Sequence, residues 1–198
     1  MLPSGQELRL SLKGAWLLLF NRPEGMSYFD LSLPGFWRSF GVVVFLLPAF
    51  FITSIAEWQL ILAETGLAAE DLPAEAYWLA QSLNFGIDWV TFPFLFALLA
   101  GHLGYSRTFV PFIIARNWAS LISTAPYALA ALLYVTGAIP AGIMVLFSLA
   151  GLMVVAWYHF RVARIALGAT VSAATGIVIL DFVLSLLISE LSGRLLGF

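Results

Sequence analysis

Cysteine is absent from the 198 residues, which excludes disulfides, thiolate metal sites, iron–sulfur ligation and a cysteine nucleophile. Charge is scarce as well. Asp, Glu, Lys and Arg make up 10% of the chain, against roughly a quarter in a soluble domain, so a water-soluble fold is excluded. The 9 basic and 11 acidic side chains leave a net charge of −2 with no basic stripe, which removes nucleic acid as a partner. No H-E-x-x-H, G-x-S-x-G, P-loop or dinucleotide fingerprint occurs, so neither an enzyme activity nor a cofactor is expected. His102 and His159 are the only histidines. Both fall near expected helix ends, where an imidazole complements the helix dipole.

What the chain has instead is apolar surface: 62% of residues are hydrophobic and the mean hydropathy is +0.98. A membrane crossing needs about 20 mostly apolar residues, and five such stretches are found, at about 36–58, 77–103, 109–135, 139–160 and 165–189. The last three are separated partly by Thr136-Gly137-Ala138-Ile139-Pro140, Gly/Pro punctuation inside a long run without charge. The expected fold class is an all-α integral membrane protein: a segment 1–35, then a five-helix transmembrane bundle over 36–198. Within the first segment, residues 8–20 place Arg9 and Lys13 on one side and Leu8, Leu12, Trp16, Leu19 and Phe20 largely on another. That pattern suits an amphipathic helix lying at the membrane interface.

Orientation follows from the basic residues. Arg9, Lys13, Arg22, Arg38, Arg107, Arg161 and Arg164 fall on one side of the expected spans, and Arg194 alone on the other. The N-terminus is therefore expected in the cytoplasm and the C-terminus outside. The loop bearing Glu64, Glu70, Asp71 and Glu75 becomes an acidic external cap.

Polar residues within the second and third spans form two stripes. Gln81, Asn84, Asp88 and Thr91 share one helix face, as do Arg116, Ser120, Ser123 and Tyr127. If the two spans form an antiparallel hairpin about the short turn 104–107, then Thr91 falls opposite Ser120, Asp88 opposite Ser123 and Asn84 opposite Tyr127. Ionisable groups turned toward lipid at mid-depth cost at least about 2.5–3.5 kcal/mol, so the stripes are expected to face each other. Asp181 of the fifth span is expected at about the depth of Asp88, where two acids can share a proton or cation. Polar groups between spans also serve as packing glue, worth about 0.6 kcal/mol each. Gly168, Ser172 and Gly176, at four-residue intervals, form a small-residue ridge for close helix packing, within the chain or against a second copy.

The stretches Gly25-Met26-Ser27-Tyr28-Phe29-Asp30 and Pro34-Gly35-Phe36-Trp37-Arg38-Ser39-Phe40 resemble the start of a family of uncharacterised five-helix inner-membrane proteins of alphaproteobacteria. In topology alone the plan is similar to Yip1-type membrane proteins. The first resemblance implies the bacterial cytoplasmic (inner) membrane and supplies no functional residues. The leading functional expectation is a non-enzymatic scaffold or accessory subunit of a membrane complex, its partners the lipid bilayer and other membrane subunits or a homodimer. The alternative is a small proton- or cation-coupled transporter using Asp88 and Asp181, with Arg116 as modulator.

Overall fold

The computed structural model describes residues 3–66 and 73–196, with side chains as far as Arg194. Glu70 and Asp71 of the expected acidic cap lie outside the described residues. Eight α-helices and one 3-10 turn make up the described chain, and it contains no strand. Five helical stretches are long and apolar enough to cross a membrane: Leu33–Thr65, Ala74–Ala100, Phe109–Val135, Ala141–Ala166 and Val171–Arg194.

Helix α1 (Gly5–Leu19) is capped by Ser4, whose hydroxyl accepts from Glu7 N–H at 3.2 Å, while the Glu7 carboxylate accepts from Arg38 Nε at 2.8 Å. A 3-10 turn (Pro23–Tyr28) folds back on it. The two approach so closely that a Cβ on Gly14 would sit 2.7 Å from the Gly25 carbonyl, and one on Gly25 2.6 Å from that of Gly14. The side of α1 that docks on the bundle carries small residues and one leucine, Ser11, Gly14, Ala15 and Leu18. Trp16 and Phe20 point away and are more than half exposed. The Tyr158 hydroxyl donates to the Ala15 carbonyl at 2.6 Å, and Arg161 to that of Leu19 at 3.0 Å.

The first crossing is two helices, α2 (Leu33–Phe40) and α3 (Val43–Thr65). Ser32 caps α2 by accepting from Gly35 N–H, and Pro34 occupies the first turn, where its missing N–H costs nothing. The second crossing, α4, is Ala74–Ala100, three residues earlier at each end than the sequence pattern indicates. The third matches its expected limits but divides into α5 (Phe109–Ser123) and α6 (Ala125–Val135), with Pro126 opening the second piece.

The boundary between the fourth and fifth crossings differs from expectation. Helix α7 runs Ala141–Ala166 and α8 runs Val171–Leu196, in place of 139–160 and 165–189. Arg161 and Arg164 do not end α7; Gly168 does, at φ +65°, a left-handed conformation that terminates helices. Arg164 donates to the Ala169 carbonyl at 2.7 Å across that turn, and the Thr170 hydroxyl accepts from Ala173 N–H to begin α8. The small-residue ridge therefore finds no helix to pack on within the described chain. Gly168 lies outside the helix, Ser172 is exposed, and a Cβ on Gly176 would meet nothing within 4 Å. No described part of the chain packs against it.

At the centre is α5. Every residue from Phe112 to Ala119 is buried, Arg116 and Asn117 included. A helix enclosed on all sides is the hub of its bundle; α1, α2 and α7 pack around it. Phe92 and Phe96 of α4 join it through rings of Phe109 and Phe112, with centroids 5.1–6.2 Å apart.

Candidate functional site

Each polar stripe finds its partners elsewhere than the sequence pattern suggests. Helix α4 meets α5 through that aromatic layer, nearer the α1 end of the bundle. Its polar face turns to α8 and α3. The Ser185 hydroxyl of α8 donates to Asp88 Oδ1 at 2.6 Å. Gln81 Nε2 donates to Glu57 Oε2 of α3 at 2.7 Å. Arg116 reaches α8 as well: Nη2 donates to Asp181 Oδ1 at 2.7 Å, Nε lies 3.4 Å from Oδ2, and the guanidinium sits 4.5 Å from the Phe92 ring centroid. The side chains of Arg116 and Asp181 retain 9% and 16% of their exposure, so the pair is shielded from its surroundings.

His159 is the third member of this cluster. Its Nδ1 lies 3.4 Å from Asp181 Oδ2, and its Nε2 is buried without a hydrogen-bond partner. The expectation that it serves a helix end fails because α7 continues seven residues beyond it. His102 is exposed on the turn after α4, its Nδ1 3.4 Å from the Leu98 carbonyl.

The expected pairs Thr91/Ser120, Asp88/Ser123 and Asn84/Tyr127 do not form. Thr91, Ser120 and Ser123 donate to carbonyls of their own helices. Tyr127 lies on α6, facing a cavity between α3, α6 and α7. Nor do Asp88 and Asp181 share one depth. Because Asp88 bonds Ser185, the antiparallel register puts Asp181 one helical turn closer to the α1 end, level with Phe92.

That α4–α8 register organises the site. Asp88 lies against Ser185, and the antiparallel register this sets brings Asn84 level with Ser189 and Gln81 level with Ser192, so polar residues follow both helices from mid-depth toward the far end. Between these helices and α3 lies a cleft of about 400 Å³. Glu57, Gln81, Asn84, Asp88 and Ser185 contribute its polar wall, and Phe50, Phe85 and Tyr77 its aromatic one. The Asn84 Oδ1 is buried there without a partner. One turn below, the Arg116–Asp181–His159 cluster borders a smaller void. Buried polar groups are costly unless satisfied, so a cleft this polar within an apolar bundle stands out from ordinary packing.

Glu57 and His159 are ionisable members that sequence reasoning left out of the site, and Ser189 of α8 is a further lining residue it missed. Glu57 looked like the polar end of a crossing that in fact continues to Thr65. Among the described residues no group of three His, Asp or Glu is arranged to hold a metal ion. No family model, curated protein or solved structure matches the chain.

Proposed function

We propose that the chain is a small proton- or cation-coupled carrier of the bacterial inner membrane, with the α3–α4–α8 cleft as its path and Asp88 as its principal ionisable group. The cleft itself carries this reading: an open polar space of about 400 Å³ inside a bundle of five apolar helices. Intramembrane ionisable groups mark ion or substrate pathways by default. The Arg116–Asp181 pair, with His159 beside it, lies one helical turn below the cleft. The basic residues at the α1 end favour that end in the cytoplasm and the C-terminus outside, and the exposed Trp16, Phe20 and Trp37 suit α1 and α2 to the interface.

The test is reconstitution into liposomes loaded with a pH-sensitive dye, with proton uptake driven by a potassium diffusion potential. Uptake above that of empty liposomes, reduced about tenfold or more by Asp88→Asn, is the expected result. Equal uptake in the variant removes Asp88 from the path.

The second reading is an accessory or assembly subunit of a larger membrane complex. The bare Ser172–Gly176 face of α8 favours it, since a small-residue face admits a helix from another chain. Partners co-purifying at fixed stoichiometry in mild detergent support this reading, and a solitary or homodimeric species supports the carrier.

A further inference from the structure

The cleft has a second chamber. A cavity of about 370 Å³ between α3, α6 and α7 is lined almost wholly by apolar groups, among them Ala56, Leu60, Ala131, Val145 and Leu149. Thr53 and Glu57 line both chambers, so the two adjoin along one side of α3, with the Glu57 carboxylate turned to Gln81 in the polar one. We infer that they form one bipartite binding site for a lipophilic organic cation, its charge held by Glu57 and the aromatic wall and its apolar body in the second chamber. This assignment rests on reading the cleft as a substrate path and names the substrate class.

The chemistry of the walls selects that class. No Lys, Arg or His is among the described residues lining either chamber, whereas Glu57 and Asp88 both line the first. An anion therefore finds no counter-charge. A small inorganic cation is disfavoured by spacing. Glu57 is bonded to Gln81, and Asp88 lies seven residues further along α4, about 10 Å of helix rise. Carboxylates so far apart do not converge on one ion whose ligands must lie within about 2.6 Å. An organic cation needs only acidic groups and aromatic faces near its charge. Phe50 and Phe85 line the polar chamber, stacked on one another with ring centroids 4.7 Å apart, which leaves one outer face on each ring for such a contact. Asn84 also lines this chamber, its Oδ1 buried without a partner. Each chamber lies within the roughly 300–1,000 Å³ typical of small-molecule sites.

The experiment measures binding of radiolabelled tetraphenylphosphonium to the full chain in nanodiscs, independently of transport. Saturable binding is expected, weakened about tenfold or more by Glu57→Gln and similarly by Val145→Trp, which fills the apolar chamber from a partly exposed position. Folding of each variant is checked by its elution profile, and Val145→Trp keeps the test decisive if Glu57→Gln misfolds. Absence of saturable wild-type binding, or binding untouched by both substitutions, overturns the inference. Loss in Glu57→Gln with none in Val145→Trp overturns the bipartite assignment. Tetraphenylphosphonium binding without proton uptake in liposomes leaves this inference standing and removes the carrier reading. Asp88-dependent uptake without such binding does the reverse.

Discussion

Replacing the two members of the Arg116–Asp181 pair one at a time and then together separates the value of the ion pair from the cost of a stranded charge. In Asp181→Leu the guanidinium keeps its place over Phe92 but loses both carboxylate contacts, 2.7 and 3.4 Å long. With only 9% of the Arg116 side chain exposed, water does not replace them. Removing one partner of a buried pair costs ~3–5 kcal/mol, and Asp181→Leu is expected at the upper end. Arg116→Met is expected nearer the lower end, because His159 Nδ1 stays 3.4 Å from the carboxylate left behind. The double variant Arg116→Met/Asp181→Leu leaves no unpaired ion and is expected within ~1 kcal/mol of the parent chain. The cycle is therefore expected to be non-additive by ~3 kcal/mol or more. Unfolding by sodium dodecyl sulfate from mild detergent micelles, followed by tryptophan fluorescence, measures all four species. Single variants that each cost under ~1 kcal/mol, or costs that simply add, would refute a shielded, mutually dependent pair.

Two further outcomes concern the N-terminal module. Gly25→Ala drives a methyl group to 2.6 Å from the Gly14 carbonyl, an overpacking expected to cost ~1–3 kcal/mol; faster amide exchange over residues 5–19 with unchanged exchange in α5 is the signature. The second outcome is a pH dependence. Hydrogen bonds from Ser32, then the Arg38 guanidinium, hold the Asp30 carboxyl below the usual carboxylate range. A depressed folded-state value means the contribution is complete above the unfolded value, about 3.9, and fades as pH falls through the folded one. Amide protection of the 3-10 turn and the start of α2 is therefore expected to drop below about pH 4, and Asp30→Asn to flatten that dependence. An unchanged profile in Asp30→Asn would show that other acids control it.

The five crossings were legible because they follow from composition: length, apolarity and the Gly/Pro break at 136–140 are local properties. Boundaries set by capping were less so. Arg161 and Arg164 resemble the edge of a span, yet Arg164 closes the Gly168 turn through the Ala169 carbonyl, and α7 extends past both. Residues of the polar site were likewise visible one by one. Asp88, Asn84, Gln81, Arg116 and Asp181 all take part in it, because an ionisable or amide side chain in a crossing has few places to go. Their partners were not visible. Hairpin geometry constrains neighbours in sequence, and it supplied a register between the second and third crossings that α5, enclosed by other helices, does not adopt.

The same reasoning applied to non-adjacent crossings does yield the observed arrangement. On α8, Asp181, Ser185, Ser189 and Ser192 recur at intervals of four, four and three residues, which keeps them on one face. Opposed to Gln81, Asn84 and Asp88 in antiparallel order, they fall into register at Asp88–Ser185, the contact the structure contains. The register alone does not rank this alignment above the hairpin one, since both satisfy the same spacing. Arg116 breaks the tie. A guanidinium at this depth needs a carboxylate within a few ångströms; the hairpin alignment puts Asp88 about seven residues, roughly 10 Å, away. Asp181 is the acid that remains once Asp88 is given to Ser185. Choosing the alignment that leaves no charge stranded selects α8 over α5 as the partner of α4, and it opens the α3–α4–α8 cleft as a consequence.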